Sequence, residues 1–229
     1  MARPKGKNYE FEMFFGLGEK LTEEQEKMIE LIFKHKIVFV DSRAGTGKTT
    51  IAVGVARQLN AMYGMEAVYI CSPINTKVMG YLPGSLEEKL AVYKQPLVDA
   101  LLEINENPQQ AIFVQNVDEF GGKSANQYAW VHFESPTFYR GINLKSKVVI
   151  IDEMQNFTKA ELKKILTRID DNSKVICIGH RLQCDLHNPN DSGFVPYQEW
   201  FRGFNDVGYV TLTKNFRGEL SQWADECPI

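Results

Sequence analysis

Uncharged apolar runs in this 229-residue chain are short: IVFV at 37–40 and VVII at 148–151 fall far below the ~18 residues that a membrane span needs. The opening MARPKGKNYEF lacks the apolar stretch of a signal peptide, so a soluble, cytoplasmic protein is expected. The four cysteines, Cys71, Cys177, Cys184 and Cys227, form no CxxC pair, and two sit in strand-like apolar runs. A disulfide framework and structural zinc are both disfavoured. Surplus positive charge is missing as well. With 26 basic against 29 acidic residues and a net charge of -3, any contact with nucleic acid must use a local patch. Internal repeats and low-complexity tracts are absent too. What remains is globular material, 44% hydrophobic and 24% charged, enough for a core in one large domain or two very small ones.

Residues 1–20 carry Arg3, Lys5 and Lys7 with phenylalanines among glycines, and read as an irregular arm, either solvated or touching nucleic acid. Residues 21–229 read as a single domain. Thr22 and Gln25 form a capping-box pattern ahead of Met28, Ile29, Ile32 and Phe33 at helical spacing, so a helix starts near Glu23. Short apolar runs then alternate with amphipathic stretches. Strands are predicted at Ile37 to Val40, Ala67 to Cys71, Val148 to Ile151, Val175 to Ile178 and Val207 to Leu212. Helices follow Lys48, Ser85, Thr158 and Arg217, with capping boxes at Ser85/Glu88 and Thr158/Glu161. Strands apolar on both faces imply an α/β fold with a mainly parallel sheet between two helical layers.

IVFVDSRAGTGKTT runs from strand through small-residue loop to helix and matches the phosphate-loop pattern G-x-x-x-x-G-K-[ST], with Ser42 in place of the first glycine. Gly45 and Gly47 let the backbone curl so that N–H groups of Ser42, Arg43, Ala44, Gly45, Thr46, Gly47, Lys48, Thr49 and Thr50 can surround phosphate oxygens at a helix N-terminus. Lys48 supplies a charge to the β- and γ-phosphates, and the Thr49 hydroxyl is a Mg²⁺ ligand. KVVIIDEMQN puts Asp152 and Glu153 at the end of a buried strand, Asp152 for the Mg²⁺ shell and Glu153 to activate the attacking water. The guanine-reading NKxD is absent, which favours ATP.

Together these motifs resemble the PhoH-like ATPases, which are similar to the first motor domain of superfamily 1 helicases. The resemblance runs from about Leu21 to Arg217 through LTEEQ, AGTGKT, GYLPGSLEEKL, FYRG, VVIIDEMQN, LTRI, IGHRLQCDL and LTKNFRG. It implies a RecA-like P-loop NTPase fold and ATP hydrolysis. By the same resemblance Gln25 looks like the adenine-contacting glutamine, although its capping-box position explains it equally well. Gln155 and Gln183 look like γ-phosphate sensors, and Arg217 like the arginine of L-x-x-N-[YF]-R. Two departures bear on turnover while leaving nucleotide binding intact: His180 stands where the family's GDxxQ motif has aspartate, and Ser72 where arginine often precedes proline.

Between Asn105 and Arg140 lies a polar, aromatic insertion with only weak alternation, in which Tyr128, Trp130, Phe133, Phe138 and Tyr139 form the densest ring cluster. Tyr128, Trp130 and Phe138 are candidates for stacking on single-stranded bases, and strand core is the competing reading, since alternation puts only about half such rings on an open face. The chain is too short for a second motor domain. A head-to-tail homo-oligomer, a hexamer by the resemblance, is therefore expected, with Arg140 reaching a neighbour's site. The leading expectation is a Mg²⁺-dependent ATPase working on single-stranded RNA or DNA. A small-molecule kinase and a nucleotide-dependent scaffold with weak turnover are the alternatives.

Overall fold

Three strands, β1 (Ile37–Ser42), β2 (Ala67–Ile70) and β6 (Val148–Ile151), are buried at every position, as strands covered on both faces must be. The computed structural model of the chain describes residues 21–72, 86–113, 116–117, 123–124, 127–134 and 144–225. The buried strands join β5 (Val131–Glu134), β7 (Lys174–Gly179) and β8 (Val207–Leu212) in one six-stranded sheet of order β5-β2-β6-β7-β1-β8. Every pairing in it is parallel. The two edge strands, β5 and β8, keep partly exposed positions. A separate antiparallel pair, β3 (Asn116–Val117) with β4 (Lys123–Ser124), lies in the insertion.

Alternation along β1 shows how the layers form. Val38 and Val40 face one core with helix α1 (Glu23–Lys34), α2 (Lys48–Tyr63) and α3 (Leu86–Glu103), while Ile37 and Phe39 face the other with α5 (Lys159–Leu166) and α6 (Phe194–Phe201). A four-residue helix α4 (Pro108–Ala111) leads toward β5, and α7 (Glu219–Asp225) closes the described chain. The predicted α/β sandwich with a parallel core is therefore the observed fold.

Local chemistry sets the helix ends. The capping boxes at Thr22/Gln25 and Thr158/Glu161 are both formed in full. At the far end of α1, Lys174 Nζ donates to the carbonyls of Phe33 (2.8 Å) and His35 (2.9 Å), placing a cation where the helix is electronegative. Ser85, predicted to cap α3, lies outside the described residues, as does the N-terminal arm.

Several short elements escape the sequence pattern, β5 and α6 among them. Strand β5 is hidden within the insertion because VHFE, at an edge, is buried fully only at Val131 and so lacks a sustained period. Helix α6 is eight residues long and carries Pro196 in its first turn, where the missing N–H has no partner to lose.

Candidate active site

Strands β6, β7 and β1 are adjacent and parallel, so the loops after β1 and β6 emerge one strand apart at the carboxyl edge of the sheet, where open α/β folds collect ligands. A cleft of about 910 Å³ opens there, lined by Ala44 to Ile51, Asp152, Glu153, Gln183 and Arg217, with Leu21 and Gln25 from the start of α1 and one flank of α3.

The phosphate loop has the backbone its glycines permit. Gly45 and Gly47 sit at φ 75° and 74°, the left-handed region open to glycine. Gly45 is constrained by space too, because a Cβ there would stand 2.7 Å from Asn215 Oδ1 and 2.9 Å from Arg217 Cγ. Its carbonyl accepts the Phe216 N–H at 2.8 Å, so the LTKNFRG segment is laced directly onto the loop. Ser42 closes β1 with ordinary strand geometry and is 2% exposed, so this position makes no demand for glycine. Neither Ser42 nor the half-buried Arg43 lines the cleft.

Asp152 is 3% exposed and accepts three hydrogen bonds. Its Oδ2 accepts from the Thr49 hydroxyl at 3.0 Å and the Tyr69 hydroxyl at 2.5 Å, and its Oδ1 from the Glu153 N–H at 2.9 Å. Burial, then the negative charge of Glu153, push this carboxyl above its ordinary range, against the pull of Lys48, Tyr69 and Thr49. The Tyr69 phenol is driven well above its ordinary value by burial and by Asp152, so it stays a donor. Glu153 adopts φ 51°, an uncommon backbone for a non-glycine residue of the kind that clusters at functional sites. Its Oε1 is 3.2 Å from Lys48 Nζ, and its Oε2 accepts from Gln155 Nε2 at 2.6 Å.

Gln155 departs from its expected place. It is 2% exposed, and with one amide end on Glu153 and the other accepting the His180 N–H at 3.0 Å it lies behind the acidic pair rather than in the cleft. Gln183 does line the cleft and is exposed. Gln25 satisfies both readings of its position: Oε1 accepts the Thr22 N–H at 3.0 Å as a capping box requires, while Nε2 donates to the Thr46 carbonyl of the phosphate loop at 2.9 Å. Thr50 lines the cleft and donates its hydroxyl to Glu103 on α3. Arg217 reaches the cleft beside Phe216.

Tyr69 and Phe216 were not singled out from the sequence. A lone tyrosine among the apolar residues of β2 was the available signal for the first, and the second was hidden inside the LTKNFRG motif. Phe216 is 50% exposed at the rim, with Lys214 Nζ 5.1 Å above its ring. Among the stacking candidates, Tyr128 is exposed, but Trp130 is 3% exposed within the core that faces α2, the Arg57 guanidinium 5.7 Å over its ring. The core reading holds for Trp130, which stands just before β5 with its backbone N–H on the Ala111 carbonyl and its own carbonyl accepting the Ala67 N–H. Phe138 and Arg140 lie outside the described residues.

Oxygen donors dominate this end of the cleft. One buried carboxylate beside one hydroxyl suits a small hard cation that takes most of its ligands from water and phosphate. No cluster of three or more His, Cys, Asp or Glu able to hold a metal occurs among the described residues. No helix among them is long and apolar enough to cross a membrane.

The profile of the family described as PhoH-like protein matches residues 19–227. The chain is 32% identical over 195 residues to a PhoH-like protein of Synechocystis, covering 84% of this chain and 56% of that relative. It is also 32% identical over 226 residues to protein PhoH2 of Bacillus subtilis, covering 94% and 48%. The chain thus spans about half the length of the curated relatives it matches. Among solved structures, the DUF1998 helicase MrfA bound to DNA shares the fold with a TM-score of 0.52 at 13% identity, over 93% of this chain and 30% of that one. The domain has the RecA-like P-loop architecture.

Proposed function

The chain belongs to the PhoH-like family, and on that premise we propose that it is a cytoplasmic, Mg²⁺-dependent ATPase that works on single-stranded nucleic acid, RNA ahead of DNA. One observation carries the reading: Lys48, Thr49, Asp152 and Glu153 converge at the carboxyl ends of parallel strands around a loop whose backbone is shaped for phosphate.

In this reading the triphosphate lies over the N-terminus of α2, held by loop N–H groups and by Lys48, which exchanges its pairing with Glu153 for phosphate oxygens. Asp152 and Thr49 would hold Mg²⁺, which would supply positive charge to offset that of the phosphates. Glu153, freed from Lys48 and steadied by Gln155, orients the attacking water and accepts its proton. Gln183 is at the cleft to read the γ-phosphate, and Arg217 to add positive charge within the same chain. The half-exposed ring of Phe216, which lines the same cleft as Gln25, would give an adenine base a surface to stack on.

Residues 21–229 act as one domain, and an arginine brought to the γ-phosphate from outside it would add a contribution worth ~10³ to 10⁵ in rate in related chemistry. A homo-oligomeric ring, a hexamer by the family resemblance, would supply it from a neighbour, and Arg140 is the candidate. The exposed Tyr128 offers one ring for sequence-tolerant base stacking. Phosphate release from ATP, measured with and without single-stranded RNA and DNA, tests the proposal.

A further inference from the structure

Strand β2 reads AVYI, and Tyr69 is its one polar side chain. At 1% exposure, among apolar residues of the core that faces α2, phenylalanine would serve the packing equally well, since the ring already stacks on Phe133 of β5 with centroids 6.3 Å apart. The hydroxyl is what packing leaves unexplained. It points to the carboxyl edge of the sheet and reaches Asp152 Oδ2 at 2.5 Å.

A carboxylate has about four lone-pair sites. On Asp152, Tyr69 and Thr49 occupy two on Oδ2, and the Glu153 N–H occupies one on Oδ1. Donors from three different elements, β2, α2 and the turn after β6, thereby fix the carboxylate plane and leave one site on Oδ1. Thr49 and Glu153 both belong to the machinery that rearranges around nucleotide, whereas Tyr69 sits in the middle of a buried strand hydrogen-bonded on both sides, to β5 and β6. It is the fixed point of the three.

We propose that Tyr69 is a positioning residue for the metal that accompanies ATP: its hydroxyl holds the Asp152 carboxylate in the orientation that presents the remaining lone pair to the cation. The inference rests on the ATPase reading above and adds to it a residue outside the phosphate-loop and acidic motifs. Partners of this kind, one shell behind a metal ligand, typically change metal affinity ~10-fold or more when removed.

The test is a titration of magnesium chloride against the full chain with a fluorescent ATP analogue, read by anisotropy, for wild type and Tyr69→Phe. The Phe variant keeps the ring and loses one oxygen. Its Mg²⁺ midpoint is expected to rise about 10-fold, while its affinity for the analogue in EDTA equals that of wild type. In an Asp152→Asn background, Tyr69→Phe should shift nothing further, because the effect runs through that carboxylate. Coincident midpoints for Tyr69→Phe and wild type overturn the proposal and leave the ATPase reading standing. So does a loss of affinity that is equal with and without Mg²⁺, or a Tyr69→Phe variant unfolded by circular dichroism, since either assigns the hydroxyl to structure alone. A wild type that binds no analogue, or binds it without regard to Mg²⁺, removes the ATPase reading and this inference together.

Discussion

Lys48 Nζ lies 3.2 Å from Glu153 Oε1, so the cation proposed to hold phosphate and the carboxylate proposed to activate water neutralise each other across the cleft. In the proposed mechanism nucleotide breaks this pair before either group acts, and the two halves of it answer differently to mutation. With the Glu153 side chain 42% exposed, the pair is worth about 1 kcal/mol or less. Glu153→Gln frees Lys48 and should bind ATP as tightly as wild type or up to ~5-fold more tightly. Lys48→Ala removes charge-assisted bonds to phosphate and should weaken binding by ~10- to 100-fold. Equilibrium binding of a fluorescent ATP analogue separates the two, and equal affinity for both variants would contradict this arrangement.

Glu66 takes part in a second electrostatic cluster, away from the nucleotide, and gives a prediction in pH. His132 Nε2 is 3.1 Å from its Oε2, and Lys147 Nζ contacts the same oxygen. Burial raises the Glu66 carboxyl, but the hydrogen bonds from Lys147 and His132 outweigh it and leave the group below its ordinary value. A carboxyl lowered in the folded state contributes stability in full above its unfolded value, near ~4.3, and loses it as pH falls below that. Melting temperatures from neutral pH to pH 3 should therefore drop more steeply in wild type than in Glu66→Gln below about pH 4.3. Parallel acid limbs in the two proteins would remove Glu66 from this role.

Tyr128 and Trp130 stand two residues apart on opposite sides of the fold surface, 68% and 3% exposed. Trp130→Ala should cost ~3 to 5 kcal/mol of stability as a large core truncation. Tyr128→Ala should leave the melting temperature nearly unchanged and weaken binding to a single-stranded oligonucleotide by ~1 to 3 kcal/mol. The mildly acidic chain implies few phosphate contacts, with a log-log salt slope of about -2 to -4. Unchanged oligonucleotide affinity in Tyr128→Ala would make that ring structural or idle.

Cross-subunit completion has its own signature. Lys48→Ala and Arg140→Ala subunits, each inactive alone, should regain some ATP turnover when mixed, because a mixed ring contains interfaces where an intact loop meets an intact arginine. Full activity of a strictly monomeric species in light scattering with ATP present would exclude the arrangement.

Much of this architecture is written locally. A phosphate loop declares itself because φ near 75° at Gly45 and Gly47 is adopted most readily by glycine, and VVII before Asp152 shows a strand buried on both faces. What the sequence hides is direction. Gln155 and Gln183 look alike in one dimension, yet the first spends its amide on Glu153 and His180 while the second opens to the cleft. Trp130 and Tyr128 share an aromatic stretch just before the edge strand β5, where no periodic pattern says which ring turns inward. Tyr69 reads as an ordinary strand residue until β2 is placed beside β6, which brings its hydroxyl to Asp152.

Single-turnover phosphate release from ATP tests the central claim most directly, with wild type and Glu153→Gln compared in the presence of Mg²⁺, with and without single-stranded RNA. Wild type should release phosphate and accelerate with the strand, while Glu153→Gln, with ATP bound at equal or greater occupancy, should release at least ~10²-fold more slowly, the smallest contribution typical of a general base. Equal rates in the two proteins, or no release by wild type under any of these conditions, would contradict the account.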